Sequence, residues 1–286
     1  MNQKHAYLIM AHNEAELLCK LIRCLDDDRN DLYIHLDEKF ESVTAKDFES
    51  IPQKAQIFFI DRKPIYWSGY SQIDCELRLL KAAVPNEYAY YHLISGVDLP
   101  IKSQDFIHNY FKEKQGKEFI SSTKVVNWKI ASRFKHYHFE NFNRRIPRNW
   151  SRRLRYFNSL VQTCLFIDRS RKIPFKTFYW GQAWFSITHN FARHLSDNEA
   201  VIYDNFKNGF FNDEVFLATL LMNSEYGRNH ATEESYARLI DWTRGKPYTW
   251  TSNELDEILN SNAIFARKFS MNKDKEVIER IINQIS

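Results

Sequence analysis

The chain has 286 residues, 44% of them hydrophobic and 15% aromatic, with 7 glycines, 7 prolines and a formal net charge of +4. That is enough apolar material for a large core without disulfides or metals, and too little glycine and proline for linkers, repeats of low complexity or disorder. No apolar run reaches the roughly 20 residues of a membrane span, and the roughly five apolar residues before His12 are short of a signal-peptide core; the expectation is a cytoplasmic protein, soluble or peripheral on the inner face of a membrane.

The first third alternates strand and helix. HAYLIMA (5–11) reads as a buried strand, followed by a turn at His12, Asn13 and Glu14 and a helix with Leu17, Leu18, Leu21, Ile22 and Leu25 on one face. LYIHLD (32–37) and QIFFID (56–61) are the next strands, SQIDCELRLLKAAV (71–84) a helix, YYHLISG (90–96) a fourth strand, VDLP a turn, and 103–114 a helix. Strands separated by helices imply parallel pairing, with ligands beyond the carboxyl ends of the strands. His12, Asp37, Trp67 and Asp98 fall there.

The middle, 128–180, is less regular. From Lys129 to Lys176 there are 13 Lys and Arg against Glu140 and Asp168, a balance of +11, while the rest of the chain sums to −7. One basic zone on an acidic body suggests an anionic partner. Within it, 150–167 carries Trp150, Leu154, Phe157, Val161, Cys164 and Leu165 at helical spacing. The expected arrangement is an apolar face packed on the protein's own core; the alternative is peripheral contact with an anionic membrane through 144–172. FYWGQAWFSIT (178–188) reads as one aromatic-rich strand, 213–223 as a helix, 238–259 as a loop and helix, 264–270 as a connector and 274–285 as a closing amphipathic helix.

Motifs then narrow the chemistry. There is no GxGxxG, GKS or GKT, so dinucleotide and P-loop sites lose their support, and HExxH and GxSxG are absent. Cys19, Cys24, Cys75 and Cys164 show no CxxC or zinc spacing and read as thiols of a reducing compartment. DDD at 26–28 resembles an acidic metal motif, but it precedes the strand at 32–37 and so lies at the wrong edge of a parallel sheet; it reads as a solvated cluster at a helix end. Trp67, Trp184, Trp242 and Trp250 sit in or beside loops and strand ends, where rings stack on sugars and bases or simply fill a core. Arg267 and Lys268 lie between Phe265 and Phe269, and cations so flanked suit a diphosphate or a surface turn. In FFNDEVFLATLLMNS (210–224), Asn212, Asp213 and Glu214 have the composition of a capped helix start.

In order, AYLIMAHNE (6–14), YIHLDEK (33–39), WSGYS (67–71), HLISGVDLPIKS (92–103), GQAWFSIT (181–188), NDEVFLATLLMNS (212–224) and IFARKF (264–269) resemble the core-2/I-branching β-1,6-N-acetylglucosaminyltransferase family, which also holds peptide O-xylosyltransferases. The resemblance runs over about residues 5–270, with a length similar to bacterial members. It implies a GT-A-like α/β fold with a mostly parallel central sheet flanked by helices. It also implies one domain over 1–286, with a nucleotide half (1–125) and an acceptor and catalytic half (126–286). The activity it implies is inverting, metal-independent transfer of a sugar, GlcNAc foremost, from a UDP-sugar to a hydroxyl of a glycan or lipid-linked glycan, without cofactor, as in bacterial surface polysaccharide synthesis.

By the same resemblance Glu214 is the catalytic base, with Asp213 the alternative. His12, Asp37, Trp67, Arg244, Arg267 and Lys268 serve the nucleotide sugar, Lys268 on the diphosphate and Asp37 and Trp67 near uridine. Asp98, Trp184, Asp213, Trp242 and Tyr248 serve the acceptor or sugar. One departure stands out: Tyr248 occupies a place where relatives carry a diphosphate-binding arginine, leaving Arg244, Lys246 or Arg267 to substitute. Rival readings are a UDP-xylose or other UDP-hexose transferase of the same fold, or an idle glycan- or nucleic-acid-binding module; no nucleic-acid recognition motif is present.

Overall fold

The structure, a computed structural model, describes residues 3–138, 148–232, 237–245 and 247–285, apart from the side chains of residues 148, 149, 151 and 152. Its centre is a six-stranded sheet. The strands are β1 (His5–Ala11), β2 (Asn30–Leu36), β3 (Gln56–Phe59), β4 (Tyr90–Ser95), β6 (Phe119–Ile120) and β9 (Phe185–Thr188), in the order β3-β2-β1-β4-β9-β6. β3, β2, β1 and β4 are parallel, and β9 and β6 close the far edge antiparallel. β5 (Asp98–Pro100), β10 (Arg238–Ile240) and β11 (Phe265–Arg267) make a second small sheet in the order β10-β11-β5. The mixed α/β architecture expected from the sequence, a mostly parallel central sheet flanked by helices, is the one observed.

The strand period of two splits the core across the sheet. Tyr7, Ile9 and Ala11 of β1 face one layer, built by α1 (Ala15–Cys24), α3 (Gln104–Glu113), α9 (Leu255–Leu259) and α10 (Lys275–Ile285). Ala6 and Leu8 face the other, built by α2 (Tyr70–Ala83), α6 (His189–Asp197), α7 (Glu199–Phe206) and α8 (Phe216–Met222). Each fully buried Leu or Phe contributes about 1.5–3 kcal/mol over its exposed state, so both layers hold the parallel strands firmly and leave their carboxyl ends as a stable rim.

Three sequence expectations change. VDLP is not only a turn: Asp98–Pro100 pairs with β11 and draws Arg267 to the rim. The single strand expected at 178–188 is two, β8 (Tyr179–Trp180) and β9, broken at Gly181. A Cβ there would stand 1.8 Å from the Ser121 carbonyl oxygen, so the backbone can pass only as glycine. The helix expected at 213–223 is a 3₁₀ turn over Asn212–Glu214 followed by α8, and neither start has a side-chain cap; the Asn212 amide donates instead to the Phe206 carbonyl at 2.9 Å.

A fourth change concerns α5 (Arg148–Cys164), which follows β7 (Thr123–Lys124) and α4 (Trp128–Lys135). Its apolar stripe does not enter the core. Ser159 and Gln162 are buried and Leu154, Phe157, Val161 and Leu165 are exposed. Residues 144–147 of the basic zone lie outside the described residues. Among the described residues no helix is long and apolar enough to cross a membrane. The DDD segment is structural: Asp26 accepts three backbone N–H groups, from Gln53, Lys54 and Ala55, and Asp27 pairs with Arg29. The four cysteines are free; Cys75 is buried, Cys19 and Cys24 are half-buried and Cys164 is exposed.

The amino edge of the sheet holds a histidine cluster. His92 Nε2 lies 3.0 Å from His5 Nδ1, His92 Nδ1 lies 2.7 Å from Ser186 Oγ, and the His5 and His108 rings lie 4.1 Å apart, tilted by 33°. Burial lowers all three pKa values, that of His108 to about 4; neighbouring rings push His5 and His92 the same way, as do Arg29 at His5 and His108 and Arg238 at His92, against Asp27 at His5 and His108. These groups are neutral when folded and protonate below about pH 6.5 when unfolded, so their contribution is present above that pH and lost as the pH falls towards 4. Each adds a slope of up to about 1.4 kcal/mol per pH unit. Melting temperature is expected to drop steeply between about pH 6.5 and 5 and less so in His92→Gln; a flat wild-type profile would refute this.

Candidate active site

A cleft of about 360 Å³ opens at the carboxyl ends of β1, β2 and β4. His12 follows β1, Asp37 follows β2 and Ser95 ends β4, and all three line it. Trp67, Trp184, Asp213, Glu214, Trp242 and Arg267 complete the expected residues that line it. Lys268, Asp98, Arg244 and Tyr248 do not, and Lys246 lies outside the described residues.

On the sheet side, Asp37 is buried and built into its loop. Its carboxylate accepts the Lys39 N–H at 2.9 Å and the Ile65 N–H at 3.2 Å, with Lys39 Nζ at 3.6 Å. Trp67 is largely exposed, its ring edge-on to Phe211 at 4.6 Å. The turns behind these rings are joined: Phe211 N–H donates to the Ser68 carbonyl at 3.1 Å, and both residues hold positive φ, 51° and 71°. Such backbone costs about 1 kcal/mol or more per residue and persists where the surroundings fix it. Here it aims Trp67 and the acid turn at the same cleft.

The cationic wall comes from β11. Arg267 reaches the Asp98 carboxylate at 2.7 Å and the Ser95 hydroxyl, and its guanidinium lies 4.3 Å over the Trp184 ring. Asp98 is a buried anchor here: one oxygen takes Arg267 and the Ser95 hydroxyl, the other the Ser95 N–H. Lys268 stands just outside the lining, near enough that its charge, after burial, Arg267 and Lys39, helps lower the pKa of His12 against Asp37. No ion pair holds its ammonium among the described residues. The segment is tied to the β1 turn, because Glu14 accepts from the Ser270 hydroxyl at 2.6 Å and the Met271 N–H at 3.3 Å.

Arg244 is engaged within the protein. It is bound by Asp241, by Glu257 at 2.9 Å and by Glu254 at 3.9 Å, and these carboxylates match its charge. Beside it, the Tyr248 ring packs edge-on against buried Trp250 and lies under the Arg244 guanidinium at 4.9 Å, outside the cleft lining. Trp250 also donates its indole N–H to the Arg267 carbonyl at 2.8 Å.

The opposite wall is acidic. Glu214 projects into the cleft and pairs with Arg133 of α4 at 2.5 Å, while its backbone carbonyl accepts the Gly181 N–H at 2.8 Å. Arg133 lies 5.2 Å from the Phe211 ring. Sequence reading missed it, because it falls where the motifs match poorly. Behind Glu214, Asp213 is buried and accepts the Gln72 amide at 3.3 Å, its second oxygen unpartnered. Burial first, and then the Glu214 charge, raise its pKa to about 7. Glu76 of α2, also buried and lining the cleft, has an unpartnered oxygen and a pKa raised by burial and by Asp213. Its place on the apolar face beside Ile73, Leu77 and Leu80 was the available clue.

Two buried carboxyls side by side resist ionising together. Glu76 therefore favours the folded state only while protonated, a contribution present below its unfolded pKa and lost as the pH rises through the folded value. Between about pH 6 and 8 the melting temperature of the wild type is expected to fall more than that of Glu76→Gln, which cannot ionise. Parallel profiles would show that Glu76 is not held neutral.

Fold and cleft are those of an α/β enzyme that takes its ligand beyond the ends of parallel strands. Residues 5–262 match the Core-2/I-Branching enzyme family, and the chain belongs to that family of glycosyltransferases. It is 24% identical over 292 residues to the N-acetyllactosaminide beta-1,6-N-acetylglucosaminyl-transferase of Mus musculus, covering 93% of this chain and 69% of the mouse protein. It is 26% identical over 208 residues to the beta-glucuronosyltransferase GlcAT14A of Arabidopsis thaliana, covering 67% of this chain and only 41% of the plant protein. Among solved structures, apo xyloside xylosyltransferase 1 of mouse aligns over 91% of this chain and 96% of its own, at 11% identity and a TM-score of 0.36.

Proposed function

We propose that the chain moves a sugar from a UDP-sugar to a hydroxyl of a glycan acceptor, with inversion at the anomeric carbon. The observation that carries this reading is one cleft with Glu214 on one wall and Arg267, backed by Lys268, on the other. His12, Asp37 and Trp67 hold the nucleotide end in the 1–125 half, and the 126–286 half supplies the base, Trp184, Trp242 and the acceptor side. Glu214 takes the acceptor proton, and the alkoxide attacks C1 from the face opposite UDP. Negative charge grows on the diphosphate as it leaves, and Lys268 and Arg267 stabilise it as it develops. Arg133 orients Glu214 through their ion pair.

GlcNAc is the preferred donor sugar, in keeping with the mouse relative's name, and a lipid-linked glycan of a bacterial surface polysaccharide the preferred acceptor. UDP-xylose, UDP-galactose, UDP-glucose or UDP-glucuronic acid would need the same machinery. A thermal-shift and hydrolysis screen over these five donors distinguishes them; the true donor stabilises and turns over, and a response to none of them overturns the reading. Turnover is further expected to persist in EDTA. Restoration of activity only by manganese would refute metal independence.

A further inference from the structure

α5 is an amphipathic helix mounted inside out. Its polar face is held by the chain: Gln162 donates to the Tyr137 carbonyl at 3.0 Å and accepts the Tyr137 N–H at 2.8 Å, and Asn158 donates to the same carbonyl at 2.8 Å. Arg155 stacks on Phe210 at 4.3 Å. The relative exposure runs opposite to hydrophobicity, with Ser159 at 4% and Gln162 at 6%, but Trp150 at 59%, Phe157 at 64% and Phe166 at 87%. Leu154, Val161 and Leu165 complete the stripe, and Trp128 of α4 meets Tyr156 edge-on at its border. An apolar band of this extent facing water marks an interaction surface.

The chemistry around the band selects the partner. Lys129, Arg153, Arg171, Lys172 and Lys176 are exposed in the stretch of chain that carries it, and Arg153 lies 5.8 Å from the Trp150 ring. Asp168, the acid of this zone among the described residues, is taken by Lys135 at 3.3 Å. Exposed aromatic and aliphatic side chains in a strongly basic stretch of chain suit the boundary between headgroups and acyl chains of an anionic bilayer. A protein partner or a second copy would need a matching acidic rim, whereas this zone is +11 by sequence and would repel its own copy.

We infer that the outward face of α5, with Trp128 beside it, docks this protein on an anionic lipid surface. The docked face adjoins the cleft: Arg133 of α4 holds Glu214, and Arg155 of α5 packs on Phe210, next to Phe211 in the cleft wall. Docking therefore brings the acceptor side of the cleft to the bilayer, where a lipid-linked hydroxyl would be presented.

The test is co-sedimentation of the full chain with vesicles of phosphatidylglycerol and phosphatidylcholine, against phosphatidylcholine alone. Binding is expected to the first and not the second, and to weaken with salt. Phe157→Ser and Phe166→Ser should each lower the partition coefficient about tenfold, and Lys172→Glu by about fivefold or more. All three sites lie outside the core and the cleft, so melting temperature and turnover of a water-soluble acceptor should hold. Vesicle binding absent, or unchanged in these variants, overturns the inference. So does a dimer in solution that Phe157→Ser converts to monomer, which would make the band an interface between copies.

Discussion

Glu214→Gln is expected to abolish most turnover, by on the order of a hundredfold or more, while leaving UDP affinity near its wild-type value. The amide is isosteric and can still accept from Arg133, so the turn and its contacts survive; only the proton acceptor is lost. Asp213→Asn separates the two acids. Asp213 is buried, bonded to Gln72 and raised to about 7, whereas Glu214 reaches the cleft with Arg133 beside it. Reach precedes pKa in choosing a base. If Asp213→Asn kills turnover and Glu214→Gln does not, the base is Asp213. Measuring kcat, KM and UDP binding for both variants decides between them, since a merely misfolded turn would lower UDP affinity as well.

The second large effect is expected at Lys268. Lys268→Ala should lower kcat by on the order of 10²–10³ and weaken UDP binding together with it, because the charge it meets exists in the ground state and grows on departure. Arg267 cannot replace it fully. Its guanidinium is shared with Asp98 and Ser95, so it presents one edge to the cleft and much of its charge is already matched. Lys268→Arg is expected to recover part of the rate. A Lys268→Ala enzyme with unchanged kcat and UDP affinity would mean that the diphosphate lies elsewhere, and Arg244, bound by three carboxylates, is poorly placed to be that place.

The sequence was most legible where a local rule and the global fold agree. β1, β2 and β4 read as buried runs because both faces of a parallel sheet are covered, and their ends placed His12 and Asp37 at the rim. Legibility failed where the deciding contact is distant. The break at Gly181 depends on Ser121, sixty residues away in the chain; the role of Asp98 depends on Arg267, far beyond it. Periodicity showed that α5 has an apolar face, but the direction in which a face points is set by what its other side can bond. Here that is the backbone of Tyr137. Arg133 carried no motif, and its partner Glu214 could be found without it.

The bond from Glu14 to Ser270 and Met271 also sets an order of events during synthesis. The parallel core of β1, β2 and β4 is complete once residue 95 has emerged, and domains begin to fold from the amino end as the chain is made. Arg267 and Lys268 arrive some 170 residues later, and only then can β11 pair with β5 and Glu14 find its partners. A nascent chain thus holds His12 and Asp37 at the rim, and later Glu214, before Arg267 and Lys268 have emerged, so the proposed site stays incomplete until nearly all of the sequence has left the ribosome.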